Sequence, residues 1–324
     1  MDPMASNLET LVTVFGGSGF LGRNVVRALC RRDYRVRVAV RRPELAGYLQ
    51  PSGKVGQVHT VQANLRYPAS VEAALRDSHV VINLVGILTE GGAQSFDAVQ
   101  ARGAETVAKA AAAAGARLVH VSAIGADAES PSRYAKAKAA GEAAVLAAVP
   151  SATIFRPSVM FGPEDQFTNR FAALARMSPV LPLIGGETRM QPVYVGDVAT
   201  AIADAVDGKA KAGATYELGG PEVLTMREII EAIVAIADRK PMLVPLSFSL
   251  ARFQANFLQF APGALKLTPD QVTLLARDNV VSDAAKAAGL TLEGLGIAAD
   301  SLEAIAPQYL WRFRAAGQFQ RKSA

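Results

Sequence analysis

The sequence predicts an α/β fold, a doubly wound parallel sheet with a smaller C-terminal lobe that interleaves with it. Three observations carry the expectation. Short stretches rich in β-branched residues alternate with helix-period segments through the first 160 residues, the pattern of parallel strands with helices on both faces. The first strand runs straight into a loop with glycines at 16, 19 and 22, and a helix begins at once. Half of the 324 residues are hydrophobic, enough for the core of an α/β unit with an appended lobe.

Taken in order, Leu11–Phe15, Arg35–Val40, Val58–Gln62, Val80–Val85, Leu118–Ser122 and Ala152–Arg156 read as strands. The alanine-rich run Ser95–Ala114 and the stretch Arg133–Val149 read as helices between them. Residues 1–160 are therefore expected to form a doubly wound, Rossmann-type nucleotide domain, and 161–324 the smaller lobe. In that lobe "LPLIGGETRMQPVYVGDVATAIADAV" reads as loop, strand and helix, and "ATYELGGPEVLTMREIIEAIVAIA" repeats the order. Asp197 is expected to cap the first of these helices, and Thr225, with Glu228 as capping-box partner, the second. Pro241–Leu265 has Arg252 as its only charge. Its three prolines and central arginine argue against a membrane span. It reads as a helix packed in the core or lying at an interface or membrane surface.

One cysteine, Cys30, excludes an internal disulfide framework, and three scattered histidines offer no metal-ligand spacing, so no metal is expected. The net charge of +5, concentrated near residues 23–42 and the C-terminus, suits anionic lipid, an acidic partner or a phosphorylated ligand. No aromatic-interleaved basic stripe accompanies it, so no nucleic-acid partner is expected. The opening "MDPMASNLETL" lacks a basic n-region and an apolar h-region and is short and acidic. Neither a signal nor a transit peptide is read there, and a bacterial, cytoplasm-facing protein is expected.

The chemistry begins at "TVFGGSGFLGRNVVRAL", Thr13 to Leu29. Gly16 allows a tight turn, Gly19 lets backbone N–H groups approach a pyrophosphate, and Gly22 lets the helix pack on the strand. The positive end of the helix adds to the attraction. The end of the second strand decides which dinucleotide fits. A chain that prefers NAD places an acid there to bind the ribose hydroxyls, whereas "VRVAV" here ends in Arg41 and Arg42. Guanidinium groups match a 2′-phosphate, so NADP(H) is the expected cofactor.

"YAKAK" sets Tyr134 and Lys138 four residues apart on one helix face. An ammonium there lowers a phenol's pKa and can also hydrogen-bond the nicotinamide ribose. His120, inside an apolar strand, reads as a satisfied core or loop-facing residue. Arg170 and Arg189 are candidates for an anionic ligand, surface pairing being the commoner use. Glu164 and Asp165 form no convincing acid–base pair.

The glycine loop, "HVSAIGA", "YAKAK", "FRPSVMFGP" and "PVYVGDVA" together resemble an atypical, extended-type short-chain dehydrogenase/reductase. More narrowly, "VFGGSGFLGR", "SRYAKAKAAGE", "RPSVMFGPEDQFTNRFA" and "QPVYVGDVA" resemble the nucleotide-binding accessory subunit family of respiratory complex I, alpha subcomplex subunit 9. The resemblance runs from the first strand to the apolar segment near residue 260. It implies a tightly held NADPH, a role in assembling or stabilising the complex, and partner subunits near the quinone-reducing arm. By position it implies cofactor contacts from Gly16, Gly17, Ser18, Gly19, Phe20, Leu21, Arg41 and Arg42. Asn64 and Leu65 would lie near the adenine, and Val85 and Gly86 near the central phosphates and ribose. Ser122, Tyr134, Lys138 and Pro157 complete the set, the last three near the nicotinamide. The family also places the apolar segment at the membrane surface, which implies a peripheral protein on the cytoplasmic face of a bacterial inner membrane.

Two departures bear on activity. Dehydrogenases of this type carry Ser or Thr just after the "VS" that ends the fifth strand, where this chain has Ala123, with Ser122 one position early. The asparagine of the preceding helix is replaced by Gln100. A hydride-transfer site without its orienting hydroxyl lacks part of its preorganised polar constellation. A non-catalytic NADPH-binding subunit is therefore the leading expectation. The alternative is an NADP-dependent reductase or epimerase for a small carbonyl or nucleotide sugar, with Tyr134 and Lys138 catalytic. A redox-sensing binding module ranks third.

Overall fold

The computed structural model describes residues 7–315 and Gly317, so the N-terminal peptide through Ser6 and most of the basic C-terminal tail lie outside the described residues. The chain divides into two compact units. The first takes the described residues through Pro157 together with Gly196–Glu217 and Asp283–Ile297. The second takes Ser158–Val195, Leu218–Ser282 and the described residues from Ala298 onward. Two segments expected in the C-terminal lobe therefore belong to the first unit. The reason lies in the sheet, whose edge next to the sixth strand is completed by a late strand, so the chain has to return.

That sheet consists of β1 (Leu11–Phe15), β2 (Arg35–Val40), β3 (Val58–Gln62), β4 (Val80–Asn83), β5 (Arg117–Val121), β6 (Thr153–Pro157) and β7 (Thr215–Leu218). Their order is 3-2-1-4-5-6-7. β1 pairs in parallel with both β2 and β4, which makes its carboxyl end the point where the strand order reverses. All five residues of β1 are buried, as a central strand covered on both faces requires. Helices α1 (Phe20–Cys30), α2 (Pro68–Ala74), α3 (Arg102–Ala113) and α4 (Arg133–Ala148) connect the strands. One core layer joins Phe15, Leu118 and Ile154 of the sheet to Val71, Val107 and Val145 of the helices. Ala104, Ala108 and Ala111 are almost fully buried in the same layer, and their small side chains let α3 approach the sheet closely.

The helix expected over Ser95–Ala114 opens instead with a π-turn, Asp97–Ala101, and becomes α-helical only at Arg102. Gly141 of α4 packs against this turn, because a Cβ there would run into the carbonyl oxygen of Gln100.

In the second unit, Phe161, Leu181, Leu183, Ile229, Ile230, Ile233 and Leu310 share a core. Its helix Met226–Ile236 starts with the expected capping box, Glu228 N–H donating to Thr225 Oγ1 at 3.2 Å and Thr225 N–H to Glu228 Oε2 at 2.7 Å. Asp197 is the third residue of helix Val195–Val206, where its charge complements the positive end from inside the first turn. Asp165 is the hub of "FGPEDQFTNRFA". Its carboxylate accepts the N–H groups of Gly162, Phe167 and Asn169, each at 3.0 Å, and the Thr168 hydroxyl at 2.6 Å. The bonds from Phe167 and Asn169 satisfy two of the N–H groups at the start of helix Thr168–Met177, so this acid serves the fold.

Pro241–Leu265 is not one helix. It forms a strand, Met242–Leu246, parallel to Val180–Ile184, then helix Phe248–Leu258 and a short turn at Gly263–Leu265. Ala251 and Ala255 are fully buried, and Leu243, Leu246 and Phe248 pack partly buried against the core. Phe253, Phe257 and Phe260 are 63%, 67% and 83% exposed. Among the described residues no helix is long and apolar enough to cross a membrane.

Candidate functional site

The sequence-derived cofactor candidates gather around the carboxyl ends of β1 to β6, all in the first unit. Gly16 turns at φ +78°, a conformation that favours glycine, and its N–H donates to Ala39 O at 3.4 Å, tying the loop to β2. A Cβ at Gly16 would come within 3.2 Å of Val85 N, so the loop also lies against the chain leaving β4. At Gly22 a Cβ would strike Gly16 O and come within 2.6 Å of the Gly17 carbonyl carbon. α1 therefore sits directly on the loop. At Gly17 a Cβ would press on Val38 at 2.7 Å, which holds the loop close to the sheet.

Gly19 is the N-cap of α1 and offers no side-chain cap, so the N–H groups of Phe20 and Leu21 open the helix without one. A Cβ at Gly19 would touch only Gly16 O, at 3.3 Å, and one at Gly86 only Lys138 Nζ, at 3.6 Å. Both positions border open space. An uncapped helix end above a glycine cradle fits a pyrophosphate. Arg41 and Arg42 follow β2 directly and are both exposed. Asn64 and Leu65 follow β3. Asn64 N–H donates to Ser70 Oγ at 3.0 Å, and a Cβ on Gly103 of α3 would meet Leu65 Cδ1 at 3.0 Å. Val85 N–H donates to Asn83 Oδ1 at 3.1 Å, and Ile124 N–H to Pro157 O at 3.1 Å.

Tyr134 and Lys138 lie on α4, as the spacing required. Tyr134 packs edge-on against Phe96, with ring centroids 5.7 Å apart. Lys138 is buried, its Nζ 5.9 Å from the centre of the Tyr134 ring and donating to Val121 O at 3.1 Å. Burial pulls its pKa down to about 8, and Glu142, one turn further on, opposes the shift. The ammonium still predominates at neutral pH.

Below the site, His120 and Ser122 follow Leu118 on the face of β5 that meets the α3–α4 layer. The expectation of a satisfied His120 fails. The ring is 2% exposed, Asn83 Nδ2 lies 3.3 Å from Nδ1, and Nε2 has no hydrogen-bond partner among the described residues. Because Asn83 Oδ1 is taken by Val85 N–H, the amide NH₂ faces the imidazole, so Nδ1 accepts and Nε2 carries the proton. Burial, with Lys138 adding repulsion, drives this histidine's pKa down to about 3. Ser122 Oγ and Gln100 Oε1 are likewise buried without partners among the described residues. Ser122 N–H donates to Phe155 O at 2.7 Å, and Gln100 Nε2 to Ile87 O at 2.8 Å. Ala123, which has no hydroxyl, follows Ser122 at the exit of β5.

Of the anion candidates in the second unit, Arg189 pairs with Asp278, with Nε donating to Oδ2 at 2.8 Å and Nη2 2.7 Å from the same oxygen, as a surface pair. Arg170 Nε donates to Ala264 O at 2.7 Å. Sequence reasoning missed Tyr48, whose hydroxyl donates to Ser18 O at 2.6 Å, and the stacking of Arg23 over its ring. Tyr48 sits in a short turn, Gly47–Ser52, where no periodicity marks it.

The sequence model of the NAD dependent epimerase/dehydratase family matches residues 12–219. The chain is 38% identical over 320 residues to the Arabidopsis thaliana protein NADH dehydrogenase (ubiquinone) 1 alpha subcomplex subunit 9, mitochondrial, covering 95% of this chain and 79% of that one. It is also 38% identical, over 199 residues, to a ceramide reductase of Caulobacter vibrioides, covering 61% and 62% of the two chains. Among solved structures, an NADPH-dependent quinone oxidoreductase of Escherichia coli in complex with NADPH superposes with a TM-score of 0.72. That likeness covers 93% of this chain and 99% of the other at 20% identity, and it bears on the fold.

Proposed function

Because the chain belongs to the NAD dependent epimerase/dehydratase family, on the branch of the alpha subcomplex subunit 9 proteins, we propose that it is an NADPH-binding accessory subunit of a membrane-associated NADH:quinone oxidoreductase with no turnover of its own. The family binds nicotinamide dinucleotides. The observation that carries the reading is the contrast within one site: a complete glycine cradle under an uncapped helix, beside a fifth-strand exit with Ala123 in place of a hydroxyl. The exposed Arg41 and Arg42, with no acid at the end of β2, support NADP(H) over NAD. In this reading the dinucleotide lies along Gly16–Leu21, Asn64, Leu65, Val85, Gly86, Ser122 and Pro157, with Lys138 and Tyr134 at its nicotinamide end. When bound, the cofactor would supply hydride chemistry. The chain's own residues hold it and keep an ammonium beneath it.

The partners are subunits next to the quinone-reducing arm, and membrane contact is peripheral. Exposed Phe253, Phe257 and Phe260 support that contact, together with Arg252 and the absence of any acid from Arg239 to Pro269. The bacterial, cytoplasm-facing location belongs to the same proposal.

Tyr134 and Lys138, with the similarity to a ceramide reductase, favour a second reading, an NADP-dependent reductase of this superfamily. Native mass spectrometry and a turnover panel separate the two. The purified protein is expected to carry one NADP(H) and to leave NADPH unoxidised with aldehydes, quinones, nucleotide sugars and oxidised ceramides. Bound NAD would overturn the cofactor assignment, and steady turnover of any substrate would overturn the non-catalytic role.

A further inference from the structure

Glu142 lies one turn beyond Lys138 on α4, and both side chains are buried. At that spacing a carboxylate and an ammonium come within reach of each other on a helix face. Among the described residues they do not pair. The Lys138 ammonium donates to Val121 O at 3.1 Å, and the Glu142 carboxylate is taken by Arg156 of β6. Arg156 Nε donates to Oε1 at 2.9 Å and Nη2 to Oε2 at 2.5 Å, a two-pronged bond that fixes the carboxylate. Glu217 of β7 completes the cluster, with Oε1 3.7 Å from Arg156 Nη1. The consequence falls on Lys138. An ammonium carries three N–H donors, and Val121 O takes one of them. The nitrogen lies beside the exit of β4, where a Cβ on Gly86 would stand 3.6 Å from it. A buried ammonium gains most from a carboxylate, yet the only acid of α4 is held by another cation.

We propose that Arg156 is a positioning residue for the dinucleotide: by holding Glu142 it withholds the carboxylate from Lys138 and keeps the ammonium for the hydroxyls of the nicotinamide ribose. The inference rests on the reading above that Lys138 serves the nicotinamide end. Ribose hydroxyls are neutral acceptors, and a free carboxylate outcompetes them for an ammonium. Arg156 wins the carboxylate because its planar fork matches both oxygens, whereas the ammonium is a point charge.

The test titrates NADP⁺ calorimetrically into the full chain, first at pH 6.5, where the Lys138 ammonium is formed. Arg156→Gln frees Glu142 to pair with Lys138 and should weaken binding about tenfold, the size of one charge-assisted hydrogen bond. Glu142→Gln removes the competitor and should bind like the wild type, as should the double variant. Arg156→Lys keeps the charge but not the two-pronged grip and should fall between; it carries the test if Arg156→Gln does not fold. A pH profile adds a readout that a purely structural role leaves unmoved. The charged or titratable groups around Lys138 are Tyr134 and Glu142 on α4, His120 on β5 and, through Glu142, Arg156 and Glu217. Wild-type affinity should fall as pH rises past about 8, where the buried ammonium loses its proton. In Arg156→Gln the freed carboxylate favours the ammonium, so the fall should move to higher pH; in Glu142→Gln it should move to lower pH. Equal losses in Arg156→Gln and Glu142→Gln, each with the wild-type midpoint, would reduce the pair to a support for the fold and overturn the inference. So would an Arg156→Gln protein that binds like the wild type. A wild type that takes NAD⁺ in place of NADP⁺ would overturn the cofactor assignment alone, and the same series then runs with NAD⁺. A wild type that binds neither would overturn both.

Discussion

The buried imidazole of His120 gives the first unit a pH dependence whose size follows from its surroundings. The ring is 2% exposed, one nitrogen faces an amide and the other no partner among the described residues, and Lys138 lies close enough to repel a second positive charge. Its pKa falls from 6.5 to about 3. A lowered pKa in the fold means that the unfolded chain holds the extra proton between these two values. Stability therefore rises with pH across that window, is complete above the unfolded value, and drains away as pH falls toward 3. At pH 5 the loss relative to neutral pH amounts to about 2 kcal/mol, a large part of a typical domain's stability. The perturbation that isolates it is His120→Asn, which cannot titrate. Urea unfolding followed by far-ultraviolet circular dichroism at pH 5 and pH 7.5 gives the pH-induced change for each protein. Carboxylates contribute equally to both, so the wild type should lose about 2 kcal/mol more than the variant. Equal losses would refute the reasoning, because they would mean that the imidazole is protonated in place or reaches water.

Other consequences follow from the same geometry. Gly22→Ala puts a methyl against the Gly16–Gly17 backbone and should cost about 1–3 kcal/mol and sharply weaken NADPH binding; an unchanged melting temperature would contradict the packing described. Arg41→Asp should weaken NADPH at least tenfold while affecting NADH far less, read by fluorescence titration; equal effects would reject the 2′-phosphate assignment. The double change Phe253→Asp, Phe257→Asp should abolish flotation with anionic vesicles and leave NADPH binding intact; retained flotation would remove that helix from the membrane surface.

Much of the first unit was legible because its strands are buried on both faces and bounded by turns. β1, β2 and β3 fall on the expected residues, and β4, β5 and β6 shift by only one or two positions at their ends. The glycine positions were legible because the steric need for each is local, as at Gly16 and Gly22. The π-turn at Gln100 was hidden because one extra residue per turn barely disturbs a run of alanines. The return of Thr215–Leu218 to the sheet edge is a tertiary event with no local signature. The apolar segment after Pro241 misled for a related reason. Composition registers phenylalanine as core material, but on the helix the fully buried residues are two small alanines, and Phe253, Phe257 and Phe260 face outward while Phe248 packs inward. Tyr48 and the half-partnered His120 depend on groups 30 and 37 residues away in sequence.

The central claim is that this chain holds its dinucleotide as a structural part of a larger membrane assembly. Mild detergent extraction of native membranes, native gel separation and mass spectrometry of successive slices test it most directly. The account predicts that the protein migrates with the NADH:quinone oxidoreductase subunits and that Gly22→Ala, by disrupting the glycine cradle, depletes it from that band. Migration of the wild-type protein only at its own 34.0 kDa would contradict it.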